Sequence, residues 1–137
     1  TNTSTTFVSG DVSVFAFGVP ANAVIDGIEV TAEFSAQFGG TTATIQLSLS
    51  DNGGSSYTAT KSDTVVGTTD TTKTYGGATD LWGAGSFSEY GTQDGNFYVK
   101  AEGKTSTGGV QCRLDHLQAK IYYHEGTSNM FFLLMDD

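Results

Sequence analysis

From Ile28 to Ala36 apolar and polar residues alternate without a break. Ile28, Val30, Ala32, Phe34 and Ala36 fall on one side, and Glu29, Thr31, Glu33 and Ser35 on the other. Period two is the pattern of a half-buried β-strand with one wet face. A second run repeats it, with Ile45, Leu47 and Leu49 set against Thr44, Gln46 and Ser48. No segment longer than a turn or two has helical period, and there are no internal repeats or heptads. Helical solenoids and coiled-coil stalks are thereby disfavoured. Short strands punctuated by turn residues predict an all-β protein, an antiparallel β-sandwich.

The remaining segments follow the same reading. Thr6–Phe17 predicts two short strands or one kinked strand, broken at Gly10-Asp11, and Gly18–Ala23 predicts a turn around Pro20. Phe38-Gly39-Gly40 closes the first clear strand. Asp51-Asn52-Gly53-Gly54 is a hairpin turn signal, with Tyr57–Lys61 as the returning partner. Asp63–Tyr75 reads as an edge strand or a long loop, Asn96–Glu102 as a strand, Gly103–Gly109 as a loop and Val110–Tyr123 as the last long strand. That last strand changes phase: Val110, Cys112 and Leu114 are in even register, and Leu117, Ala119, Ile121 and Tyr123 in odd. A slip of one residue sends side chains to the other face. A β-bulge at Asp115-His116 would restore one apolar face; the alternative is a sheet covered on both sides there.

The 137 residues fit one domain with a real core. Lys and Arg number 6 against 15 Asp and Glu, a net charge of -9. Such a balance opposes direct binding to phosphate backbones and to anionic membrane surfaces, so neither nucleic acid nor membrane is expected as a partner. A stretch of about 20 apolar residues, which a transmembrane helix needs, is absent. The lone Cys112 allows no internal disulfide, and its phase with Val110 and Leu114 predicts a buried small hydrophobe.

Catalytic patterns are weak. His116 follows Asp115, but an Asp-His neighbour pair without a placed Ser or Cys is not a triad, and a structural role is expected for both. His116, His124 and one Cys give no zinc pattern. Asp51–Ser55 lacks the alternating carboxylates of a calcium loop. Asp63, Asp70, Asp80 and Asp94 lie in loops, where some of them could share a surface calcium; otherwise no cofactor is expected. Glu29 and Glu33 share one strand face, which reads as solvated rather than as a glycosidase pair. Tyr75, Trp82, Tyr90 and Tyr98 are candidate ligand-facing aromatics for a glycan. Against that stands a plug, with Trp82 closing one end of the sandwich and its N–H bonded to a loop carbonyl.

Several runs resemble a known domain. Phe17–Val30 is similar to the "IP-x-x-A-x-I-x-GI-x-V" opening of a β-sandwich domain of tailed-phage and prophage virion structural proteins. Tyr75–Gly83 resembles that family's "YGG-x-x-DLWG" segment, Asn96–Val99 its "NF-x-V" strand, and Leu114–Tyr123 its closing "VDH-x-x-x-x-x-YY". The resemblance spans roughly Val14 to Tyr123. It implies a jelly-roll-like sandwich with a virion or surface role and no assigned catalytic residues. Two features depart from it: little precedes Phe7, and Gly126–Asp137 lies outside the pattern. Both point to a stand-alone subunit with its own attachment device.

That device is the run Met130, Phe131, Phe132, Leu133, Leu134, Met135. Fully burying each Phe or Leu is worth about 1.5–3 kcal/mol, enough to dock a strand firmly. Because consecutive apolar residues point both ways, such a strand needs cover on both faces. Docking on a neighbouring subunit is favoured over completing the chain's own sheet. The expected organisation is a sandwich over 1–123 with a C-terminal apolar extension over 124–137. The expected function is a non-enzymatic capsid decoration or accessory head protein of a tailed phage, assembled in the host cytoplasm. Its partners would be copies of itself and other virion proteins such as the major capsid protein. A tail or fibre component, a carbohydrate-binding or adhesion module and a surface-filament subunit joined by strand exchange are the alternatives.

Overall fold

The computed structural model describes residues 8–12, 18–20, 22–87 and 96–125. Among the described residues there are seven strands: β1 (Val8–Val12), β2 (Ala23–Ala36), β3 (Thr42–Ser50), β4 (Lys61–Val66), β5 (Thr71–Gly76), β6 (Tyr98–Thr105) and β7 (Cys112–Glu125). There is no helix among the described residues. The strands form two antiparallel sheets, a four-stranded one in the order β1-β6-β3-β4 and a three-stranded one in the order β5-β2-β7. β2 lies across β3 and β4, and β7 lies across β3 and β6. The architecture is an antiparallel β-sandwich.

The core follows directly from the alternation. Ile28, Val30, Ala32, Phe34 and Ala36 of β2 meet Ala43, Ile45, Leu47 and Leu49 of β3, all buried. At the other end of β2, Ala23 and Ile25 are buried although they are out of phase with Ile28. The ladder explains this: Ile25 pairs with Tyr123 and Gly27 with Tyr122, so Asp26 is an extra residue that resets the phase. The same device occurs on the partner strand. Glu33 pairs with His116 and Phe34 with Leu114, leaving Asp115 unpaired. The bulge expected at Asp115-His116 is therefore present, and Cys112, Leu114, Leu117, Ala119 and Ile121 all pack towards the core. Cys112 is buried, which raises its thiol pKa. It fits because Gly103 of β6 faces it, where a Cβ would lie 3.1 Å from the Cys112 sulfur.

Several segment assignments change. Tyr57–Lys61 returns beside β3 only in part: the Thr58 amide donates to the Leu49 carbonyl at 2.8 Å, but residues 57–60 form no strand and the ladder begins at Lys61, which pairs with Leu47. The loop is longer because Ser50 and Asn52 organise it. The Ser50 hydroxyl accepts from the Gly54 amide at 2.9 Å, and the Asn52 side-chain oxygen Oδ1 accepts from the Ser56 amide at 3.0 Å. Asp63–Tyr75 is neither one strand nor a loop but two strands, β4 and β5, which border different sheets. Their Thr-rich alternation has only Val65 and Tyr75 as buried anchors, too weak a pattern to show a break at Gly67–Asp70. The loop expected from Gly103 begins later, since β6 continues to Thr105. β7 likewise runs through His124 and Glu125, beyond the boundary drawn at Tyr123.

Candidate functional site

The aromatic set expected to face a ligand does not form a platform. Trp82 and Tyr75 are buried, 2% and 7% exposed, so neither presents a ring to solvent. Tyr98 is half-buried at the start of β6, beside Gly54. Tyr90 lies outside the described residues, as do Met130, Phe131, Phe132, Leu133, Leu134 and Met135. Tyr57, which the sequence reading passed over, lies with Tyr98 against Gly54 and takes the Lys100 ammonium 5.0 Å from its ring centre.

Trp82 is a plug, but its partner differs from the one expected. Its indole N–H donates to the carbonyl of Ile28 at 2.9 Å, a strand carbonyl rather than a loop one. The same oxygen accepts from the Gly77 amide at 3.2 Å. Trp82 adopts φ +57°, a backbone conformation that favours glycine, and Asp80 secures it by accepting from the Trp82 amide at 2.7 Å. The other Asp80 oxygen lies 2.8 Å from the Lys61 ammonium, and that ammonium also sits 5.4 Å from the centre of the Trp82 ring. These contacts, the Lys61 bond first, hold the Asp80 carboxyl below its ordinary pKa. Gly76 allows the approach: at φ +77°, a Cβ there would stand 2.2 Å from the Ile28 oxygen. The Gly-Gly and Asp-Leu-Trp-Gly residues thus assemble one latch between β5 and β2.

Carboxylates gather at the opposite end of β2. One oxygen each from Glu33, Asp70 and Asp115 lies within 4.8 Å of the others. Of the loop acids expected to share calcium, only Asp70 belongs to this group; Asp63 and Asp80 are ion-paired to lysines, and Asp94 lies outside the described residues. The bulge puts Asp115 there. Its carboxyl is pushed above its ordinary pKa, first by a hydrogen bond and charge from Asp70 and then by Glu33. The three carboxylates repel one another, and no second feature among the described residues points to an ion there. Glu29 and Glu33 have strand partners: the Tyr122 hydroxyl bonds Glu29 at 3.3 Å, and the Thr72 hydroxyl bonds Glu33 at 3.3 Å. His124 pairs with the bulge residue Asp26 at 2.8 Å on the exposed surface, while His116 stands exposed beside Glu33 on the outer face.

The two long rims of the sandwich differ most. On the β4/β5 rim, Lys61 and Asp63 share the inward face of β4 with buried Val65, and Lys73 shares that of β5 with buried Tyr75. Lys73 reaches Asp63 at 3.6 Å across the rim. Inward charges on edge strands are a known device against strand addition. β7 carries none from Cys112 to Ile121. Its inward row is Cys112, Leu114, Leu117, Ala119 and Ile121, and the last four remain only partly buried. Its outer edge pairs with no strand among the described residues.

No helix among the described residues is long and apolar enough to cross a membrane. Comparison of the chain with protein-family models, with curated proteins and with solved structures finds no match.

Proposed function

We propose that this chain is a non-enzymatic structural protein of a tailed-phage virion, a decoration or accessory protein of the head. In this role a jelly-roll-like sandwich sits on the shell and joins its neighbours through apolar strand surface. The observation that carries the reading is the use to which the motif residues are put. Gly76, Gly77, Asp80 and Trp82 close the latch, and Asp115 forms a bulge. The chemical groups of the resembling segments are engaged in holding the sandwich together, as fits a building block. The apolar run Met130–Met135 supplies the joining element, and a net charge of -9 keeps free subunits apart until specific contacts form. Weak contacts repeated by lattice symmetry then add up to firm attachment.

The test is binding to tailed-phage heads stripped of accessory proteins. The expected result is saturation at a stoichiometry fixed by the head lattice, followed by loss of binding when Met130–Met135 is deleted. Specific binding to a glycan array with no binding to heads would overturn the reading in favour of an adhesion module.

A further inference from the structure

We infer that the outer edge of β7 is a strand-acceptor site, and that its occupant is the Met130–Met135 segment of a second copy of this chain. This rests on the proposed joining role of that segment and adds the surface that receives it. Four observations converge. β7 is a 14-residue strand with one edge unpaired among the described residues. The β4 and β5 edges carry inward charges that resist an added strand, whereas β7 turns Leu114, Leu117, Ala119 and Ile121 inward with their burial incomplete. Among the described residues the sheet containing β7 is one strand narrower than its partner, three against four. With β7 lying across β3 and β6, the place alongside it and across from β1 holds no strand among the described residues. An apolar strand added there would cover the inward row and supply main-chain bonds to the edge.

The chain carries a segment of the right size. Past Glu125 come Gly126-Thr127-Ser128-Asn129, a polar linker rich in turn residues, and then six apolar residues. Extended, six residues span about 20 Å, a little under half of β7. If the segment ran antiparallel from the Glu125 end of β7, Asp136 and Asp137 would come level with Lys120, which stands opposite Glu29 of β2 and whose ammonium lies 4.8 Å from the Tyr122 ring centre. Laid on its own β7, the segment would turn one apolar row inward and leave the other outside. Crossing to a second copy puts that outer row in the seam between two molecules, where it is covered. The exchange is self-complementary, as a two-fold interface requires.

Site-specific crosslinking of the full chain tests this. In a Cys112→Ser background, one protein carries Lys120→Cys and a second carries Phe131→Cys, Leu133→Cys or Met135→Cys in turn. The two are mixed under mild oxidation. A disulfide-linked dimer is expected from at least one pairing, with at least tenfold less from a Thr74→Cys control on the β5 edge. Crosslinking that occurs only within one chain, in the doubly substituted protein, would overturn the inference by placing the segment on its own β7. If deletion of Met130–Met135 reduces a native oligomer to the monomer yet no crosslink forms to β7, the acceptor is wrong while the joining role stands. If the full chain is monomeric and binds no heads, both fail. Ala119→Lys, which copies the charge device of β4 onto β7, is a second probe. It is expected to abolish association with the sandwich still folded by circular dichroism, and association undiminished in the folded variant would refute the site.

Discussion

The two rims of this sandwich are finished in different ways. On the β4/β5 side, short Thr-rich edge strands turn Lys61, Asp63 and Lys73 inward, and the Trp82 latch ties the end of β5 to β2. On the β7 side, a strand more than twice as long presents an apolar row from Cys112 to Ile121, and its one charge in that phase, Glu125, stands at the very end. Both rims border sheets of the same fold, so the difference lies in the side chains. A strand edge is attractive to any chain with free amides and carbonyls, and an inward-pointing charge on that edge is what discourages pairing. One rim is therefore sealed within the molecule, while the other retains apolar surface for a further strand to cover.

The comparison can be broken most forcefully at the latch. Trp82→Ala removes a buried ring and the bond to Ile28, and is expected to cost about 3–5 kcal/mol in urea unfolding. A loss under about 1 kcal/mol would mean that the sealed rim does not depend on the plug. Gly76→Ala comes next. Its φ of +77° and the close Ile28 oxygen predict a loss of about 1–3 kcal/mol, visible as a lower urea midpoint at unchanged slope.

A smaller effect is expected from Asp80→Asn, about 1 kcal/mol at neutral pH from weakened charge-assisted bonds. Because the folded carboxyl titrates below its ordinary value of 3.8, its stabilisation is complete above that pH and is lost as pH falls through the folded pKa. The wild-type protein should therefore lose stability in acid, and the variant should lose less. A variant with the same acid slope would remove Asp80 from the account.

Replacing Asp63 and Lys73 together by Val sharpens the contrast. Both side chains are more than a third exposed, so stability should change by less than about 1 kcal/mol. In a chain lacking Met130–Met135, however, analytical ultracentrifugation should now show self-association through the unsealed rim. The smallest effect is expected at Asp115. Its pKa is raised, so folding carries a penalty that is absent at low pH and grows as pH rises through the window above 3.8. Asp115→Asn should accordingly raise the melting temperature slightly at neutral pH and leave it unchanged in acid.

Much of this was legible beforehand. The period-two runs fixed β2 and β3 because alternation is local, and the phase error in Val110–Tyr123 located the Asp115 bulge because a slipped register leaves a mark in the sequence itself. The Asp26 bulge left one too, since Ala23 and Ile25 are out of phase with Ile28, but the predicted turn around Pro20 absorbed it. The division of Asp63–Tyr75 into β4 and β5 was not readable, since Thr and Ser serve strands and loops alike. Tyr75 and Trp82 looked equally suited to a platform or a core, because an aromatic ring does not declare its burial.

What the amino-acid order determined by itself was the β-class, the apolar faces of its main strands and the two-sided character of Met130–Met135, all set by side-chain spacing along an extended backbone. What only the tertiary structure decided was which strands became edges. The meeting of Lys73 with Asp63 depends on how the two sheets lie against each other, and those of Trp82 with Ile28 and of Asp115 with Glu33 and Asp70 depend on the strand order β5-β2-β7 within one sheet. Those pairings join residues from separate strands and loops, and sheet order is a property of the packed whole rather than of any local run.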